Sequence, residues 1–245
     1  MAFAQSLSTG TGLTLTHEAW GLAAVSAAGL AVYYFGTLEA LQGGHLSVYY
    51  PIIRSSPLAI VAVNWGLFGQ SYSTSVLFGI LLIVASGILL QQSGGGLFEN
   101  VRSLLLALAA MIASAVYALA DAAAMQIAEP APFVFWVYVL VSALMLGLAL
   151  TGRDRNSQSL RAIYRSWLTA PWRIATASIV SYGSYYLILK AFQMKGDPAL
   201  VVAVRQISIP VSVILAAIVL GEPRFRQRLG WALMLAVGVV IVIVS

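Results

Sequence analysis

This sequence predicts an all-α integral membrane protein of about eight transmembrane helices carrying an inverted structural repeat. Three observations predict it. Of its 245 residues, 60% are hydrophobic and 9% charged, with a mean hydropathy of +0.91; an ordinary soluble domain is about a quarter charged. Apolar runs recur near the ~20 residues that cross a ~30 Å hydrocarbon core. The first three of these runs also match the last three at scattered positions, at an offset of 152 that drops by one after a deletion.

Residues 1–19 are polar, rich in Ser, Thr and Gly, and lack the basic start of a cleaved signal peptide. Spans follow at 20–41, 46–68, 75–92, 102–127, 132–151, 172–192, 198–220 and 228–244. None alternates apolar with polar over the ~10 residues of a barrel strand, so helices are the reading. Residues 94–96, Glu129-Pro130 and 195–198 supply the Gly and Pro that turn the chain. In the long connection 152–171, Leu160, Ile163, Tyr164, Trp167 and Leu168 share one helical face and Arg161 and Arg165 another. That pattern suits a helix in the headgroup plane with its arginines toward anionic lipid, the alternative being a plain basic loop.

A net charge of +5 and a pI near 9.6 would suit nucleic acid, but the basic residues fall between spans and no nucleic-acid partner is expected. Arg102, Arg153, Arg155, Arg161, Arg165, Arg173, Arg224, Arg226 and Arg228 belong to one face of the membrane. The other face has Lys190 and Lys195 with acidic Glu18, Glu129 and Asp197. The bias puts the Arg-rich loops in the cytoplasm of a multi-pass protein of the cell inner (plasma) membrane, both termini outside. With no cysteine, disulfides, thiolate metal sites and cysteine nucleophiles are excluded. His17 and His45 are too few for a metal site, and no HExxH, Walker loop or GxGxxG is present. No catalytic residue, metal or cofactor is expected, and the chain does not read as an enzyme.

At an offset of 152, Ser26 falls on Ser178, Tyr33 on Tyr185, Tyr34 on Tyr186, Gly44 on Gly196 and Gly69-Gln70 on Gly221-Glu222. One deletion later, Gly79 falls on Gly230, Leu82 on Leu233, Ala85 on Ala236 and Gly87 on Gly238. Helices 1–3 thus match helices 6–8, five spans apart, so the copies enter the membrane from opposite sides. Inverted repeats of this kind are typical of secondary transporters, whose substrate sites lie near the midplane between the copies.

The segments SVYYPIIRSSPLAIVAV and ALVVAVRQISIPVSVILAAIVLGEP, with the Gly-spaced closing helix, resemble the EamA-type branch of the drug/metabolite transporter superfamily. The resemblance implies inverted five-helix repeats around a central cavity. Residues 20–92 resemble the last three helices of a first EamA-like repeat, and 102–244 a complete second repeat of five. The first two of the usual ten helices are missing, either in a genuine eight-helix form or because the chain starts late. The family keeps both termini in the cytoplasm, against the arginine count here.

Arg54 lies about nine residues into helix 2, roughly 13 Å at 1.5 Å per residue and so near the midplane. An arginine there costs roughly 2.5–3.5 kcal/mol and should face the bundle or water. Ser47, Tyr50 and Arg54 share a face, as do Arg205, Ser208 and Ser212 on helix 7, where Gln206 is the repeat counterpart of Arg54. These faces are read as cavity lining, their guanidiniums holding an anionic or carboxylate-bearing small molecule. The competing reading has the arginines bonding freed carbonyls or snorkelling to an interface. Pro51, Pro57 and Pro210 displace the carbonyls four residues earlier, making Pro57 and Pro210 candidate hinges or static kinks. On helix 4, Ala110, Ser114, Ala118 and Ala122 form a small stripe for close packing. Beside it Asp121 can pair with an arginine or take up a coupling proton; Glu39, near a helix end, reads as solvated. Tyr182 and Tyr185 on helix 6, with Tyr33, are further lining candidates, as are Asn64 and Trp65 more weakly.

The chain therefore reads as a secondary transporter of a small metabolite, working by alternating access, with the bilayer and possession of a homodimer interface as its other associations. A non-transporting truncated paralogue or accessory protein is the alternative, and a membrane-embedded enzyme a third.

Overall fold

The computed structural model describes residues 12–42, 49, 52–91, 101–151, 165, 167–209, 211 and 225–245, and among them all regular structure is helical. The elements are α1 (His17–Gln42), α2 (Ser56–Phe68), α3 (Thr74–Gln91), α4 (Val101–Ala124), α5 (Pro130–Thr151), α6 (Pro171–Gln193), α7 (Pro198–Arg205) and α8 (Phe225–Val244). Three stretches, His17–Ala40, Val101–Ala124 and Pro130–Ala149, are each long and apolar enough to cross a bilayer, and shorter apolar helices accompany them. The protein is an all-helical membrane protein. The segment predicted over 160–168 falls largely, and the turn predicted at 94–96 wholly, outside the described residues.

Local chemistry sets the helix ends. Thr16 accepts the Ala19 amide at its hydroxyl (3.3 Å), starting α1 three residues before its apolar run. Pro171 and Pro198 open α6 and α7 where a missing N–H costs nothing. Asp197 caps α7, its Oδ1 accepting from the amides of Ala199 (2.8 Å) and Leu200 (3.2 Å). At the end of α2, Gly69 takes φ +64° and returns its amide to the Asn64 carbonyl, a backbone shape that glycine adopts without strain.

The chain forms two compact units. The first takes described residues of 1–31 and 120–195. In it α5 lies beside α6, and Phe133, Val134, Val137, Leu189 and Phe192 are buried. Its N-terminal strap is held by Trp136, whose indole donates to the Leu13 carbonyl (2.7 Å) and packs on Trp20.

The second unit takes described residues of 32–119 and 196–245. Its core is the pair α3 and α8, with Val76, Ile80 and Ile83 meeting Leu235, Val239 and Val242. Gly79 lies against Gly238 and Val242, and Gly238 against Gly79 and Ile83, so the two helices run antiparallel. That is the direction an inverted repeat requires of helices 3 and 8. A Cβ on Gly79 would sit 3.0 Å from the Gly238 carbonyl oxygen, and one on Gly238 2.9 Å from that of Gly79. Here the backbones themselves touch. A second cluster joins Ala40, Tyr49, Ile53, Ala107 and Ala110, where Gly36 approaches the Leu106 carbonyl. The small stripe of α4 accordingly packs inward, with Ala110, Ser114 and Ala118 all buried. At one end of this unit Tyr72 accepts from the Asn64 amide (2.7 Å) and donates to Asp197 (3.3 Å). Gln70 donates to the same carboxylate, so the loop after α2 is tied to the first turn of α7.

Candidate functional site

Two of the predicted spans are interrupted. Residues 52–54 are helical, but the Ser55 amide bonds Ile52 and the Leu58 amide bonds Ser55, each at 3.0 Å, before α2 begins at Ser56 with Pro57 in its first turn. The i→i+3 bond of Leu58 leaves the Arg54 carbonyl without its helical partner. The predicted helix 7 stops likewise after Arg205: Gln206 bonds Ala203, Ile207 bonds Val204 and Ile209 bonds Gln206, again three residues apart. Shifted by 152, Arg54 becomes Gln206, so the breaks occupy equivalent places in the two copies.

The breaks also touch. Gln206 Nε2 donates to the Arg54 carbonyl oxygen at 3.2 Å, replacing the lost helical bond. This bond joins the positions that the sequence repeat makes equivalent. Gln206 is 2% exposed and its Oε1 has no partner among the described residues. The space beside it, bordered by Arg54, Ser55, Gly87 and Gln206, is about 10 Å³, at most enough for one water. At this point the structure is closed.

One residue earlier, Arg205 Nη1 donates to the Tyr117 hydroxyl at 2.9 Å. Tyr33 packs edge-on against Tyr117, with ring centres 5.9 Å apart, and against Tyr34 at 5.5 Å. Tyr33 and Tyr34 lie near enough to act on the guanidinium electrostatically. Among the described residues no carboxylate pairs with Arg205; its surroundings are phenols. A guanidinium offers five donors in a plane, and one hydroxyl uses a single one of them.

The first unit holds a second polar cluster. Asp121, 1% exposed, accepts from Ser26 Oγ at Oδ1 and from the Tyr185 hydroxyl at Oδ2 (2.8 Å). Ser26 and Tyr185 are themselves 3.4 Å apart, and either can donate to the other. The Tyr185 ring packs edge-on against Tyr138, whose hydroxyl contacts Ser181 at 3.3 Å. Between α5 and α6 lies a cavity of about 880 Å³, lined by Phe135, Tyr138, Ser142, Ser178, Ser181 and Tyr182 among others. Its walls combine aromatic rings with serine and tyrosine hydroxyls.

The predicted residues are thus distributed rather than gathered in one place. Arg54 meets Gln206, while Arg205 and Tyr33 share the Tyr117 cluster. Ser208 is exposed just beyond the break in helix 7. Asp121 meets Tyr185, and Tyr182 lines the α5–α6 cavity. Tyr50 and Pro210 lie outside the described residues. Glu39 forms an ion pair with Arg102 at 3.3 Å, on the exposed side of the second unit. Sequence reasoning missed Ser26, Tyr117 and Tyr138 as partners. Ser26 carried a signal, as a match in the repeat, and Tyr117 precedes Asp121 by one helical turn; Tyr138 stood unmarked in an apolar run.

A model of the EamA-like transporter family matches residues 101–244. The search of curated proteins returned no match. Among solved structures, one described as "Crystal structure of protein" superposes with a TM-score of 0.74 at 18% identity, over 99% of this chain and 83% of the other. At that identity the likeness concerns the fold alone.

Proposed function

The chain belongs to the EamA-like transporter family and is a membrane transporter, and from that premise we propose that it is a secondary carrier of a small carboxylate-bearing metabolite, working by alternating access of its inverted repeats. The observation that carries the substrate class is Arg205. Its guanidinium sits at a helix break in a membrane protein, bonded to the Tyr117 hydroxyl and, among the described residues, to no carboxylate. A charge in that setting needs a counter-charge, and a substrate carboxylate fits the fork that Tyr117 leaves unfilled. Support for alternating access comes from the paired breaks and the Gln206–Arg54 bond, since discontinuous helices at a repeat axis are where such carriers bind and hinge. Arg54, Tyr50, Ser208, Tyr182 and Tyr185 remain lining candidates in this reading, and Pro57 and Pro210 its hinges. We place the protein in the cell inner membrane with its Arg-rich loops cytoplasmic.

The test is uptake of a panel of labelled small carboxylates into sealed proteoliposomes. Arg205→Ala removes a charge-assisted interaction of about 1.5–3 kcal/mol, so the transported carboxylate should lose roughly ten- to a hundred-fold in apparent affinity. Arg205→Lys, which keeps charge but not the fork, should recover part of it. Unchanged uptake in Arg205→Ala would remove the arginine from substrate binding.

A further inference from the structure

We propose that Asp121 is the proton-binding site that couples this carrier to a proton gradient, with Ser26 and Tyr185 as positioning residues that satisfy it in both charge states. The proposal rests on the transporter reading above and adds the coupling ion and its site.

The argument is one of hydrogen-bond accounting. As a carboxylate, Asp121 is acceptor-only and receives the Ser26 and Tyr185 hydroxyls, one on each oxygen. Proton uptake converts Oδ1 from acceptor to donor, which would leave two donors facing each other at Ser26 if nothing else changed. The 3.4 Å contact between Ser26 and Tyr185 provides the escape. Asp121 Oδ1–H donates to Ser26 Oγ, Ser26 O–H rotates to donate to the Tyr185 oxygen, and Tyr185 O–H keeps donating to Oδ2. The proton arrives from hydronium, which leaves as water, and no other bond is made or broken. The carboxyl and the two hydroxyls each keep a partner within the trio before and after, with only hydroxyl hydrogens turning. A carboxylate that serves as a fixed structural anchor needs no such second arrangement.

The same geometry connects charge to shape. Ser26 comes from α1, Asp121 from α4 and Tyr185 from α6. Ionised, the carboxylate holds those helices through charge-assisted bonds, about twice as strong as the neutral ones that replace them on protonation. Proton binding therefore loosens the junction of three helices. The titratable groups that meet it among the described residues include Tyr185 from α6, whose ring packs on Tyr138 from α5. Lys190, further along α6, bonds the Gln193 side chain.

Infrared difference spectroscopy of the purified full chain, titrated with acid, tests the site without any substrate. The wild type should show a protonated-carboxyl band that Asp121→Asn lacks. Tyr185→Phe and Ser26→Ala should each move its midpoint by about one pH unit, because each removes one arm of the network. A wild-type band that persists in Asp121→Asn, or a midpoint indifferent to both hydroxyl variants, overturns the proposal. In proteoliposomes, a pH gradient should accelerate carboxylate uptake by the wild type about tenfold more than by Asp121→Asn. Drive by a sodium gradient instead, or equal pH drive in both proteins, overturns it too. Should the titrating band behave as expected while no carboxylate is carried, the substrate reading fails and the proton site stands.

Discussion

Tyr72 shows how much one hydroxyl can hold. It accepts from Asn64, which is 4% exposed, and donates to the carboxylate that caps α7. Burial holds its phenol above the ordinary value of 10.0; the Asn64 bond pulls down and the Asp197 charge adds to the rise. The sign of the pH effect follows. The unfolded chain gives up this proton first, so the contribution of Tyr72 is complete below about pH 10 and disappears as pH climbs through the raised value. Tyr72→Phe should cost about 1–3 kcal/mol at neutral pH by stranding the Asn64 amide. Thermal unfolding in detergent from about pH 8 to about pH 11 should show the two proteins converging at the alkaline end. At this scale the sequence was a partial guide. Asp121 was visible as an acid inside a span, whereas Ser26 stands 95 residues away, and no local pattern pairs a serine with an acid so distant. Tyr72 lay in a turn that carried no chemical signal at all.

Helices were far more legible than the contacts between them, because an apolar run of spanning length leaves the backbone little choice but to satisfy itself. All eight predicted spans contain a described helix. The exceptions within them were the breaks, and prolines marked both: Pro57 stands just after the first, and the second falls at Gln206, four residues before Pro210. The Gln206 carbonyl accepts an i→i+3 bond from Ile209 instead. The glycines of α3 and α8 were legible only as a repeat. In space, antiparallel packing pairs them crosswise, Gly79 with Gly238, while Gly87 and Gly230 have open room where a Cβ would go. Substitution should therefore separate the two pairs. Gly79→Leu forces the backbones apart and should lower stability by at least the 1–3 kcal/mol typical of overpacking. Gly87→Ala should be neutral or gain up to about 1 kcal/mol from helix propensity. Thermal scans of the two variants side by side check both halves of that statement.

For the molecule as a whole, membrane character and family were open to sequence reading because both reside in bulk hydrophobicity and pattern. Which face is cytoplasmic is a matter of loop charge and is testable on a chain without native cysteines. Ser157→Cys should react with an impermeant maleimide only in inside-out vesicles, and Ser245→Cys only in right-side-out ones. The reverse pattern would favour the family's usual orientation over the arginine count. The bond from Gln206 to Arg54 carries a last consequence. In the alternating-access cycle proposed above, a contact shared by equivalent positions of the two copies would be the fulcrum that stays still. Spin labels flanking residues 54 and 206 should hold their spacing through the transport cycle, and labels placed progressively farther along the same helices should report progressively larger swings.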